Sequence, residues 1–184
     1  MQNIIEGSII ETLYRMVITD IKPHVFDDIM ESKKAEINNW VITQLAKEME
    51  TDKTEFFEKF KRYITEAEYI CEEKKILAAA HYLATEYEFK LIYNVNHYTY
   101  GIEETKEKLE KRVEKFLDIE AVKEIKLKKN LNDFIKICGQ LRFQIRWAQT
   151  PRLPKTSVLG HMYFVAVMSY FFSKMNNSCD KRLS

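Results

Sequence analysis

PRLPKTSVLGHMYFVA, residues 151–166, is the stretch on which the reading of this chain turns. Two prolines and an arginine give way to Thr156 and Ser157, either of which can cap a helix by accepting a backbone N–H. An apolar run follows, and His161 lies inside it, in or near the first helical turn. Gly160 just before it removes a side chain and lets a second group approach closely. The helix that starts here is expected to run over 158–175, closed by Asn176-Asn177-Ser178. His161 is then either a ligand at the mouth of a helix or a polar residue tolerated in an apolar one.

Upstream, Asn130 or Asn132 can cap a preceding helix with apolar positions at Phe134, Ile135, Cys138, Leu141 and Ile145. That spacing predicts a helix running into Arg146-Trp147 and stopping before Pro151. Arg142 and Arg146 would share a face one turn apart, and Arg152 follows in the loop. A guanidinium fork suits phosphate, and an indole suits stacking on a ring. The macrodipole also favours arginines at a helix C-terminus, so both readings stand at this point.

The rest of the chain has the same period. Ile5, Ile9, Leu13, Met16 and Val17 predict a helix over 4–20, interrupted at Lys22-Pro23. Ile37, Trp40, Val41 and Leu45 predict another over 36–49, and Thr51-Asp52-Lys53-Thr54 reads as a start signal for the next. Phe56, Phe57, Phe60, Tyr63 and Ile64 then repeat at three and four. Residues 71–95 are apolar on more than one face, as in a helix central to a bundle. NVNHYTYG, 94–101, is a turn-rich break. In 103–117, Glu104 with Lys108 and Glu107 with Lys111 mark a solvated helix face. Only 4 Gly and 3 Pro are present in 184 residues, too few for the frequent turns of a strand-rich fold. The expectation is an all-α, multi-helix bundle of six to eight helices: an N-terminal helical region over 1–130 and a second region over 131–184, which can pack as one unit.

Composition excludes several classes. Hydrophobic residues at 46% and charged residues at 31% support a packed core. A net charge of +1 gives no pull toward nucleic acid. The longest apolar stretch, 158–172, contains His161 and Ser169 and falls short of the roughly 20 residues of a membrane span. MQNIIEGSIIETLYR lacks a basic region followed by an apolar one, so no signal peptide is read there. Cys71, Cys138 and Cys179 are odd in number and far apart, which reads as reduced thiols in a cytoplasmic protein. GxGxxG, P-loop, HExxH, ExxH, CxxC and GxSxG patterns are all missing. His24 and His97 fall in expected loops, and His81 in AAAHYLA reads as a core or helix-seam histidine.

Arg146-Trp147 followed by SVLGHMYFVA at 157–166 resembles the opening of an HD-domain metal-dependent phosphohydrolase, in the branch that contains bacterial 5'-nucleotidases and related HD-containing hydrolase-like proteins. The likeness spans 142–166. It implies that His161 is the first metal ligand, and that Arg146 and Trp147 contact the phosphate and sugar side of a small phosphorylated, nucleotide-like substrate. It implies a divalent ion (Mn, Co, Mg or Zn) for the intact site. Two departures stand out. Gly160 replaces the glutamate of the nucleotidase pattern, and no His-Asp dipeptide occurs anywhere in the sequence. An ion that activates water at phosphorus needs several protein ligands, and one imidazole does not hold it. The expectation is therefore the N-terminal part of an HD-type phosphohydrolase, stopping before the His-Asp dyad and the distal Asp, and inactive as this 184-residue chain. Homo-oligomerisation would cover the apolar face of the last helix. The other reading is a stand-alone α-helical binding or regulatory module in which His161 is structural.

Overall fold

The computed structural model describes residues 1–19, 23–49, 55–151 and 155–180, with backbone alone at 23–28, 49, 129 and 176–180. Among them are eight α-helices, one short 3-10 turn and a single isolated β-bridge, which bears out the all-α expectation. The chain divides into two compact units, Met1–Ile102 and Glu103–Ser184.

In the first unit α1 (Gln2–Ile18) packs against α2 (Pro23–Met49), α3 (Glu55–Thr65) and α4 (Cys71–Tyr93). Ile10, Val41, Phe60, Tyr63 and Leu77 form the core. The aromatic stripe predicted on α3 is the one that is buried: Phe60 and Tyr63 are enclosed, with Phe56, Phe57 and Ile64 packed beside them. On α1 the buried stripe is rotated from the predicted one. Met16 is 73% exposed, and the helix turns Glu6, Gly7, Ile9 and Ile10 inward instead. Gly7 allows the closest approach: a Cβ there would lie 2.5 Å from Leu77 Cδ1 and 3.1 Å from Tyr63 Cε2.

Among the described residues, the two buried polar side chains, Asn38 and Glu6, are satisfied, as burial demands. Asn38 donates to the Ile64 carbonyl at 3.1 Å, closing a bond at the end of α3, and accepts from the Tyr14 hydroxyl at 3.0 Å. The Glu6 carboxylate accepts from Gln2 at 2.8 Å and pairs with Lys59 at 3.2 Å.

Two expectations for this unit are corrected. α2 begins at Pro23 rather than 36, because proline is well suited to the first helical position, where its missing N–H has no partner to lose. α4 is not apolar-buried all round: it buries Leu77, Ala79 and Tyr82 and leaves Ile76, Leu91 and Ile92 exposed. The Thr51–Thr54 start signal lies outside the described residues.

The second region comprises α5 (Ile102–Arg112), running into a 3-10 turn at Val113–Phe116, then α6 (Glu120–Leu127), α7 (Lys129–Gln140) and α8 (Val158–Asp180). Glu104 and Lys108 pair at 2.7 Å on the exposed face of α5. Phe116 and Val122 are buried. α6 packs on α7, across the 130/131 division drawn from sequence. Asn130 and Asn132 lie inside α7 and do not cap it; its N-cap is Lys128, without a side-chain bond. α8 continues past Asn176-Asn177-Ser178 to Asp180. No helix among the described residues is long and apolar enough to cross a membrane.

Candidate functional site

The site is built where α7 gives way to α8. The apolar period predicts that α7 continues to Trp147, but it ends at Gln140 and the chain turns over 141–143. The reason lies in hydrogen bonding. The first amides of a helix lack intrahelical partners. Here Val158 N–H donates to the Gln144 carbonyl at 2.8 Å and Leu159 N–H to the Leu141 carbonyl at 3.2 Å. Carbonyls that would have continued α7 serve the start of α8 instead. Gly139, near the break, lowers the cost of leaving the helix, since glycine is about 1 kcal/mol worse than alanine inside one. A third bond, Arg146 N–H to the Thr156 carbonyl at 2.9 Å, with the antiparallel bridge Ile145–Ser157, clasps the loop at its base.

Ser157, not Thr156, is the cap. Its Oγ accepts from Gly160 N–H at 3.0 Å, and its carbonyl accepts from His161 N–H at 3.1 Å. Serine satisfies the third helical amide in this way, a bond typically worth about 1 kcal/mol. The cap fixes the phase of α8 and so fixes which way position 161 faces.

An open pocket of about 490 Å³ lies against this helix start, lined by Arg146, Trp147, Lys155, Thr156, Ser157, Gly160, His161 and Phe164. The three residues singled out in the sequence, Arg146, Trp147 and His161, therefore border one space. They reach it from a loop and a helix start, not from two successive helices. Trp147 has φ 58°, in the left-handed region that a bulky residue rarely occupies. Its carbonyl accepts from Thr150 N–H at 2.9 Å, and the residue is 65% exposed. The Arg146 guanidinium sits 5.7 Å from the indole, within cation–π range.

Arg142 does not share this face. With α7 ended, its Nε donates to the Gly139 carbonyl at 3.1 Å, and it does not line the pocket. Arg152 lies outside the described residues. Lys155 and Phe164 are lining residues that sequence reasoning missed; for Lys155 the available signal was a cation two residues before the cap. The other histidines lie elsewhere. His81 is exposed and pairs with Glu11 across the α1–α4 seam, the seam role anticipated for it. Glu11 also accepts from the Tyr63 hydroxyl. His97 stacks edge-on with Tyr93 in the turn after α4. His24 falls in α2, where the backbone alone is described.

The fold and pocket define a class first: an all-α protein with a cationic, aromatic-walled pocket at a capped helix start. Comparison adds a partial likeness. The HD domain family model matches residues 138–184, which covers the end of α7, the loop and α8. No curated protein matches the chain, and no solved structure does.

HD domains are associated with divalent metals and hydrolysis. The described residues do not fit such an ion. Among the described residues no three His, Cys, Asp or Glu side chains come together. The pocket around His161 offers two cations and no carboxylate, a surface that repels a dication.

Proposed function

We propose that residues 138–184 form the substrate-binding part of an HD-type phosphohydrolase site acting on a nucleotide or other phosphomonoester. Arg146 faces the phosphate, Trp147 faces the sugar and ring side, and His161 is the imidazole that an intact site would use as one metal donor. The single observation that supports this most is the convergence of Arg146, Trp147 and His161 on one pocket within the HD-matched segment. The described residues supply one donor where water activation at phosphorus requires several. On this reading the described residues bind and orient such a substrate and supply only part of the metal site its turnover needs.

What these residues do is bind and orient. The guanidinium offers donors matched to phosphate oxygens. The indole offers a flat apolar face, and the Ser157 cap keeps the imidazole at the pocket wall. The test is a phosphate-release assay on nucleoside monophosphates with added Mn²⁺ or Co²⁺, run beside a metal titration of wild type and His161→Ala. The expected result is no turnover and no tight stoichiometric metal binding. Turnover that is lost in His161→Ala would overturn the inactivity of this chain.

A further inference from the structure

α8 carries no charged residue from Val158 to Ser173, on any face. At about 100° per residue its side chains fall on two opposed faces. Val167, Tyr170 and Phe171 lie on one and are half-buried. Met162, Val165, Met168, Phe172 and Met175 lie on the other, each 39–65% exposed. The helix therefore meets water along a band as apolar as its packed side. No described side chain from 123 to 175 is buried, so this end of the second unit has no closed core. Apolar exposure on this scale marks an association surface.

The spacing of the band says what fits it. Met162 and Val165 stand as far from its centre as Met175 and Phe172 do, with Met168 and Ser169 in the middle. A two-fold interface requires that if residue i meets residue j, then j meets i. A band symmetrical in spacing meets that requirement when two copies of the helix run antiparallel. Ser169, small and exposed at the midpoint, lets the two backbones draw close.

Charge selects the same direction. Arg146 and Lys155 stand at the start of α8. A parallel pair would set the cations of both copies side by side. An antiparallel pair separates them by the length of the helix. It also brings each set near the carbonyl end of the other α8, where the macrodipole is negative.

The area suffices. With Phe164, which is 60% exposed, the band has six large apolar side chains. At on the order of 200 Å² for each when fully exposed, they offer roughly 600 Å² per copy and about 1,200 Å² per pair. Stable specific interfaces begin near about 1,200 Å².

We propose that the outward face of α8 pairs with the same face of a second copy of this chain. The two helices run antiparallel about a two-fold axis beside Met168 and Ser169. Val165 of one copy then meets Phe172 of the other, and Met162 meets Met175. This pairing is independent of what the pocket binds.

Sedimentation of the full chain over a range of concentrations tests it. The expected mass is twice the 22.0 kDa of one chain. Phe172→Glu enters the interface twice and buries an unpaired charge each time, so dissociation should rise at least about 100-fold. Adding Val165→Lys to it sets opposite charges across the axis and should recover at least about tenfold. Cross-linking reads the register without disturbing the band's core. In a chain with Cys71, Cys138 and Cys179 changed to serine, Ser169→Cys should form a disulfide between copies on mild oxidation. Met162→Cys should not, because the two 162 positions lie about 20 Å apart in the antiparallel pair. A monomer at every concentration would overturn the proposal; if that monomer floats with phosphatidylcholine vesicles, the face belongs to a lipid surface instead. A dimer that Phe172→Glu leaves intact, or one that cross-links at 162 and not at 169, would overturn it as well.

Discussion

Ser157→Ala is the sharpest probe of how the site is held. The substitution removes one acceptor, Oγ, from one donor, the Gly160 amide at 3.0 Å. Loss of a serine cap costs about 0.5–2 kcal/mol. One to two kcal/mol corresponds to roughly a 5- to 30-fold change in a local opening equilibrium. The Gly160 amide should therefore exchange its hydrogen about that much faster. His161 N–H bonds to the main-chain carbonyl of residue 157 and keeps its partner, so its protection should change less. Amide exchange followed by NMR reads both positions in one experiment. Ser157→Asp separates the cap from the pocket. Aspartate caps as well as serine and adds about 0.3–1 kcal/mol at a helix N-terminus, so Gly160 protection should hold or rise. The same carboxylate would stand in a pocket lined by Arg146 and Lys155 and should abolish phosphomonoester binding. Unchanged Gly160 exchange in Ser157→Ala would refute the cap. Improved anion binding in Ser157→Asp would refute the electrostatic reading of the pocket.

Two further outcomes concern the first unit. Gly7→Ala should destabilise it: the new methyl meets Leu77 Cδ1 at 2.5 Å inside a closed core, an overpacking cost of about 1–3 kcal/mol that exceeds the roughly 1 kcal/mol gained in helix propensity. A urea midpoint that rises would show that Leu77 yields. Alkaline pH should weaken the same unit. Burial, then the hydrogen bond and charge of Glu11, raise the Tyr63 phenol above 10.0. For Lys59 burial acts downward, but Glu55 and Glu6 together outweigh it and hold the ammonium above 10.5. Both groups bind their protons more tightly folded than unfolded, so their stabilisation is complete below about pH 10 and is lost as pH rises through their folded values. Lys74, lowered by burial and then by Lys34, acts in the opposite sense. Urea midpoints measured from neutral pH to above 10.5 should fall, less steeply in Tyr63→Phe; a flat profile would count against the Tyr63–Glu11 contact.

Helix existence was legible from the three-and-four period, and the α3 stripe was legible residue by residue, because Phe56, Phe57, Phe60, Tyr63 and Ile64 are all large and apolar. The α1 face was not, since Glu6 and Gly7 carry the closest contacts and neither looks like a core residue in a sequence. Gly7 is buried because it is small, and Glu6 because Lys59 and Gln2 meet it from other positions. The start of α8 was legible because a cap is local chemistry: serine followed by an apolar run is enough. The end of α7 was not. Leu141 and Ile145 keep the helical period, yet the carbonyls of Leu141 and Gln144 are claimed by amides more than a dozen residues later. That competition also undid the shared face of Arg142 and Arg146, which rested on an unbroken helix. The pocket survived the error because Arg146 and Trp147 are placed by the clasp to residue 156, not by helical phase.

That clasp has a consequence for how the segment can be varied. Because the bonds at 144–146 and 156–158 pin both ends of the loop, the pocket's geometry is set at its base. Closure entropy grows slowly with length, by about 0.6 kcal/mol for each doubling. Extra residues spliced in between Thr150 and Pro151 should leave Trp147 and His161 where they are while adding new side chains above the opening. A graft of this kind would let selectivity for the ring be redesigned without disturbing the helix start, and the same latitude would be open to natural variation by insertion.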